Sequence, residues 1–298
     1  MDKSFIILCA SIVFNNQLSL FDNEFEDNKQ GRNLAFRQIF ENIMKNGHIK
    51  VNPKFSEYIF LFKSRLDNDL LYFQLAKKKE IEKYELIDNN FQQMAVSSYP
   101  PLDIFVNLKN QQMAVELKDF VNNEESLLRT IQKLFSLFIK QENFSIFFNI
   151  VEDKREFWQL VDSKNVNQIN EIEFEMIVPN FFGVAGDAKD LVEGAKEKVN
   201  ADTVLLKFKN KKGSLKARMS DLESYVNYSV KSGSWKLKIK NEGKIRTIKS
   251  SDFSKKKNIE KSILDVVSSY NTQNGPDELV YQKCLKRIKM LFEGDENE

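Results

Sequence analysis

One stretch of this chain carries residue types that could do hydrolytic chemistry: PPLDIFVNLKNQQMAVELKDF, from Pro100 to Phe120. Asp103 stands ahead of a Glu116-x-Lys118 pair. Two carboxylates can share a divalent cation such as Mg²⁺, and a nearby lysine can stabilise charge on a phosphoryl group. Such a site needs neither histidine nor cysteine. That suits a chain whose one histidine is His48 and whose two cysteines, Cys9 and Cys284, lie near opposite ends. A hairpin centred on Asn110 and Gln111 would set Asp103 opposite Lys118 and Phe105 opposite Glu116. All four would then share one face.

Two observations weigh against this site. The other face, Ile104, Val106, Leu108, Met113, Val115 and Leu117, is wholly apolar, the pattern of a strand pair with one buried side and one wet side. Asp/Glu-x-Lys also recurs, starting at Asp27, Glu116, Glu152, Asp162, Asp187 and Glu242, so one copy behind an Asp carries little weight. The order of residues resembles PD-(D/E)xK nucleases. That resemblance implies Mg²⁺-dependent cleavage by Asp103, Glu116 and Lys118, an alternative to the binding function argued next. Nucleotide-loop, dinucleotide-fold, nucleophile-elbow and paired-cysteine motifs are absent from the sequence. GVAGDAK, Gly183 to Lys189, reads as an ordinary glycine turn entering a helix.

The charge is distributed unevenly. Net charge is +2, but Asn200 to Ser262 holds 17 Lys/Arg and 6 Asp/Glu, a balance of +11, so the remainder carries −9. A basic surface of this kind usually meets phosphate. Lys207, Lys209 and Lys211 fall on one face of VLLKFKNKK. Lys236, Lys238 and Lys240 share a face of SWKLKIK, with Trp235, Leu237 and Ile239 on the other. KIRTIK adds Lys244, Arg246 and Lys249, which do not all share one side. With Lys212, Lys216 and Arg218 these residues form the expected nucleic-acid-binding set, a lysine-covered sheet over an apolar underside. Trp235 and Phe208 alternate away from the cations, so the wet face offers no base stacking, and double-stranded contact is expected. Arg218 and Arg246 are the only arginines of the set, which argues against reading bases through guanidinium forks. The competing readings are a solvated strand face and a basic docking face for a protein or an anionic membrane.

These residues need elements to position them. The 298 residues are 42% hydrophobic, ample for a core. Strand and helix patterns mix without strict alternation. The expected fold is therefore α+β: mixed, mainly antiparallel sheets with flanking helices and a basic, β-rich C-terminal half. A composition change near Asn165–Gln168 divides the chain into an N-terminal α+β domain, 1–165, and a basic domain with C-terminal helices, 166–298. Expected strands include Lys3–Phe14, Leu70–Lys77, Phe144–Val151 and Gln168–Val178. Expected helices include Asn33–Asn46, Asp187–Lys198 and Ser220–Val230, with two more at about Lys255–Tyr270 and Asp277–Phe292. Phe5–Phe14 is too short, and its flank too neutral, for a signal peptide, so a buried first strand is expected. No other apolar run approaches a membrane span. The expected location is cytoplasmic, with reduced cysteines.

The run INEIEFEMIVPNFFGVAGDAKDLVEGAKEKVNADTVLLKFKNKKGSLKARMSDL resembles the RexA superinfection-exclusion proteins of temperate phages and bacterial antiphage proteins of similar size. The shared pattern is a strand ending in Val178-Pro179, a turn with Gly183 and Gly186, a helix, then a strand carrying Lys207 and Lys209. The resemblance covers about a third of the chain. It implies a non-catalytic, cofactor-free, homodimeric protein that binds double-stranded DNA without sequence preference. Such a protein senses phage replication and signals to a separate effector, such as a membrane protein. The Lys, Asn, Ile and Phe bias fits a low-GC bacterial or phage genome.

Overall fold

The computed structural model describes residues 2–14, 29–51, 57–87, 90–118, 124–139, 144–162, 169–177, 186–212, 215–217, 219–241, 244–254, 256–270 and 277–293. In chain order the elements are β1 (Asp2–Phe14), α1 (Lys29–Asn46), β2 (His48–Val51), β3 (Tyr58–Arg65), β4 (Leu70–Lys77), β5 (Lys79–Ile87), β6 (Asn90–Ser98), β7 (Pro101–Asn107) and β8 (Gln112–Glu116). They continue as α2 (Glu124–Phe138), β9 (Phe144–Ile150), α3 (Lys154–Asp162), β10 (Ile169–Ile177), α4 (Asp187–Val199), β11 (Thr203–Lys209), α5 (Met219–Ser232), β12 (Gly233–Asn241) and β13 (Lys244–Lys249). A short 3-10 turn (Ser250–Phe253), β14 (Lys256–Glu260), α6 (Lys261–Ser269) and α7 (Glu278–Lys289) complete the order. The fold is α+β with mainly antiparallel sheets, as the sequence pattern implies.

β1 organises the larger sheet, whose order is β14-β1-β8-β7-β4-β3-β2. Its long apolar run is buried on both faces, the usual meaning of an unbroken hydrophobic strand. Ile6, Leu8, Ala10 and Ile12 face a core closed by α1 and α2, through Phe36, Ile39, Phe40, Ile131 and Phe135. Phe5 and Ile7 face a second core closed by α6 and α7, through Leu264, Val267, Tyr281, Leu285 and Ile288. One edge of β1 pairs with β8. The other pairs first with β14 and then with β9.

The smaller sheet, β11-β10-β12-β13, has one covered face and one wet face. α3 and α5 cover it through Phe157, Trp158, Leu222, Val226 and Val230, packed against Ile172, Phe174, Trp235 and Leu237. A division at residue 165 separates the two sheets, but only as far as the 3-10 turn. β14 then returns to β1, and the C-terminal helices pack on the larger sheet. Residues 256–260, expected as the start of a helix, are this returning strand.

The Pro100–Phe120 hairpin differs from expectation in register and surroundings. Ile104 pairs with Val115 and Asn107 with Gln112, so the turn is centred one residue earlier than expected and occupies 108–111. The Asn107 carboxamide oxygen accepts from the backbone N–H groups of Lys109 and Asn110, which closes the chain early. Because the loop still has an even length, each side chain keeps its expected face. The face expected to be wet is not wet: Phe105 and Ala114 lie in the second core, beneath α6 and α7.

Candidate nucleic-acid interface

The lysine alternation survives folding. On the wet face of the smaller sheet stand Lys207 and Lys209 of β11, Lys236, Lys238 and Lys240 of β12, and Lys249 of β13. Trp235, Leu237 and Ile239 point into the core, as the period of two requires. β11 ends at Lys209, so Lys211 and Lys212 lie in the following turn, where the Asn210 side chain accepts from the Lys212 N–H. Lys216 follows in a segment whose Leu215 N–H donates to the Ile169 carbonyl. Lys244 and Arg246 lie on the far side of β13, and both are exposed on this edge strand. Arg218 lies outside the described residues.

The strand expected at Gln168–Val178 is β10, but its place between the two lysine strands was not foreseen. β10 reads INEIEFEMI and places Glu171, Glu173 and Glu175 on the wet face. Glu173 takes Lys207 at 2.5 Å and Lys236 at 2.8 Å. Glu171 takes Lys238 at 2.9 Å, Lys207 at 3.5 Å and Lys209 at 3.8 Å. Lys207 first and then Lys236 hold the Glu173 carboxyl below the usual carboxylate range, and Lys238 leads the same effect at Glu171. The period-two placement of these glutamates was available in the sequence. Its consequence depended on knowing which strands are neighbours.

The face therefore carries six lysines against three glutamates, a surplus of three positive charges. The surplus is not uniform. The glutamates stop at Glu171, whereas the cations run on to Lys240 and Lys244 and into the turn with Lys211, Lys212 and Lys216. None of these five, nor Arg246, forms an ion pair with a described residue. What results is a neutralised middle with a cationic end and edge.

Asp103, Glu116 and Lys118 also come together, but with an unforeseen fourth member. Lys3 of β1 sits 2.6 Å from Asp103 Oδ2 and 3.3 Å from Glu116 Oε1. Lys118 lies 3.6 Å from Glu116 and donates to the Pro101 carbonyl. Tyr72 and Gln74 donate to Asp103 Oδ1 at 2.8 and 3.0 Å, and the Asp103 N–H donates to Glu116 at 2.8 Å. The carboxylates are 5% and 2% exposed. An ammonium thus occupies the position between them that a shared divalent cation would need. Among the described residues, no group of three or more His, Cys, Asp or Glu is disposed to hold a metal.

The fold and this face define an α+β protein with a two-sided main sheet and a second sheet that is half core and half charge lattice. No known protein family, no curated protein and no solved structure matches the chain. Among the described residues, no helix is long and apolar enough to cross a membrane.

Proposed function

We propose that this chain binds double-stranded DNA without sequence preference, through the cationic end and edge of its smaller sheet. The observation that supports this reading is the point where the glutamates stop. Lys211, Lys212, Lys216, Lys240, Lys244 and Arg246 have no described acid to satisfy them, so a phosphate backbone can take them without breaking an existing pair. Lys207, Lys209, Lys236 and Lys238 must first leave Glu171 or Glu173, so they contribute less than an alternation count implies. The resemblance to RexA-type proteins supplies the proposed setting. In it the chain is a homodimeric sensor of phage replication that signals to a separate effector.

Anisotropy titration with duplexes of unrelated sequence, at several salt concentrations, tests the binding. Affinity should fall steeply with salt, by a log–log slope of about −0.9 per phosphate engaged. Lys240→Glu combined with Lys244→Glu should weaken it about tenfold or more and flatten the slope. Affinity that ignores salt, or that survives the double reversal, overturns the proposal. Absence of duplex affinity together with capture of an acidic protein would favour a docking module instead.

One observation favours a second reading, since Asp103, Glu116 and Lys118 do meet in space. The Lys3 ammonium opposes it by neutralising the pair from within. A Mg²⁺ cleavage assay on wild type and Glu116→Ala separates the two readings. The binding reading expects no cutting by either protein, and cutting by wild type alone would establish the nuclease.

A further inference from the structure

Residues 151–153 stitch the two sheets together. The Val151 N–H donates to the Ile7 carbonyl of β1 at 2.7 Å, which ties the end of β9 to the larger sheet. The next two N–H groups reach the other half of the molecule. Glu152 donates to the Val230 carbonyl of α5 and Asp153 to the Phe253 carbonyl of the 3-10 turn, each at 3.5 Å. Glu152 also forms an isolated antiparallel bridge with Ser254. Both 3.5 Å bonds are at the long limit for such contacts, so the backbone alone holds this junction weakly. The Glu152 side chain adds a further tie. Its carboxyl engages the Ser250 hydroxyl, whose oxygen accepts from the Trp235 backbone N–H of β12 at 3.1 Å. One path of contacts, from β9 through Glu152 and Ser250 to Trp235, thus runs from the larger sheet to the smaller through a single carboxyl.

That carboxyl is badly placed to carry charge. Glu152 is 6% exposed, and its Oε2 is buried with no hydrogen-bond partner. A buried carboxylate needs a cation or several donors, and without them it keeps its proton. The charged groups on the surrounding elements are committed elsewhere or stand apart. Arg129 of α2 pairs with Glu125, Lys236 of β12 with Glu173, and Arg155 with Asp153 beside the junction. The Asp252 carboxylate of the turn accepts from the Lys249 N–H. The Lys249 and Lys231 side chains are exposed and make no ion pair with Glu152. The Cys9 thiol of β1 is neutral, since burial pushes it up to about 11. Burial accordingly pushes the Glu152 carboxyl up to about 8, although the Ser250 hydroxyl acts in the opposite sense.

We propose that Glu152 is a proton-dependent latch between the two sheets, closed while its carboxyl is neutral and released when the carboxyl ionises. Opening lets the carboxylate reach water and frees the 3-10 turn and β12 from the end of β9. The direction follows from linkage. A carboxyl raised above its ordinary value of 4.5 contributes its full stability below that value. The contribution declines as pH rises through the window up to about 8 and changes no further beyond it. Within the window the open state holds one proton fewer than the closed state, so the opening equilibrium grows by up to about tenfold per pH unit. Mild acidification therefore tightens the junction, and a rise above neutral pH loosens it. The latch does not depend on duplex binding by the cationic edge.

Hydrogen exchange on the full chain tests it, read as the protection factors of the Glu152 and Trp235 amides from about pH 5 to about pH 9. Wild-type protection should fall by up to about tenfold per pH unit until about 8 and then level off. Glu152→Gln keeps the shape and the contact with Ser250 but cannot ionise. Its protection should be flat across the range and should exceed that of the wild type at the alkaline end. Ser250→Ala removes the hydroxyl that favours the charged form, so the fall should run on to higher pH, a change that lost packing alone would not produce. Should Glu152→Gln not fold, a carboxyl-carbon NMR titration of the wild type decides the matter. A Glu152 midpoint near 8 supports the latch, and one near 4.5 overturns it. Wild-type protection that ignores pH, a fall that persists in Glu152→Gln, or an unmoved upper limit in Ser250→Ala also overturns it.

Discussion

Lys3 shares one ammonium between Asp103 and Glu116 and keeps some contact with water through its own partial exposure. Replacement by Met preserves much of the stem's packing and leaves two buried carboxylates facing each other. The expected cost at neutral pH is about 3 kcal/mol, the low end for breaking a buried ion pair. The pH dependence separates this cost from lost packing. Burial pushes the Asp103 carboxyl up, but hydrogen bonds from Lys3, Gln74 and Tyr72 outweigh it and leave it lowered. A lowered carboxyl contributes stability that is fully present above the unfolded value near ~3.9 and is lost as pH falls through the folded value. Burial opposes the Lys3 charge, yet Asp103 and then Glu116 leave its ammonium raised. That contribution is fully present below about 10.4 and is lost as pH rises through the folded value. Urea midpoints of the wild type should therefore show no pH dependence from this network between these limits, where its contribution is at its full value. In Lys3→Met one carboxylate should take up a proton to relieve its neighbour, so stability should rise as pH falls from 7 toward 5. A variant that loses stability but shows no such rise would assign the loss to packing.

At the scale of elements, the smaller sheet depends on how closely β10 and β12 approach. A Cβ on Gly233, the first residue of β12, would lie 1.8 Å from the Glu175 carbonyl oxygen. Gly233→Ala should force the strands apart where they begin and destabilise the sheet by roughly 1–3 kcal/mol. Both tryptophans, Trp158 and Trp235, lie in the core of this sheet, so their fluorescence reports its unfolding. The fluorescence midpoint should shift to lower urea, and an unchanged midpoint would show that the backbone yields without cost. This sheet also shows what was legible in the sequence. Alternation is local, so the lysine faces of β11 and β12 could be read from single segments. The Glu171, Glu173 and Glu175 row lies about thirty residues before β11 and outside the basic segment, so a charge balance taken along the chain left it out. The Asp103 hairpin repeats the lesson. Its faces followed from parity, while Lys3, a hundred residues away, and the covering helices could come only from the tertiary fold.

At the scale of the whole molecule, β5 and β6 continue the β4–β7 pair beyond the main sheet as a separate two-stranded ribbon. β6 was not expected from its sequence, since NFQQMAVSS lacks a clean polar alternation. Its described side chains, and those of β5, are almost all exposed, with Tyr84 at 64% and Phe91 at 78%. Ile81, Met94 and Val96 add apolar surface. A lone two-stranded ribbon is marginal in water, and both its edges are open to pairing. Residues 79–98 contain two lysines, three glutamates and one aspartate, a net charge of −2, which repels a phosphate backbone. The proposed homodimer provides a fitting occupant, because a twofold axis can bring this ribbon against its own copy and bury the same residues on both chains. Tyr84→Ser with Phe91→Ser should convert the dimer to a monomer in sedimentation equilibrium, with little change in the fold by circular dichroism. Duplex affinity should then drop and its salt slope shrink, since one chain engages fewer phosphates than two. A variant that stays dimeric would remove the ribbon from the interface, and a wild type that is monomeric at high concentration would remove the dimer itself.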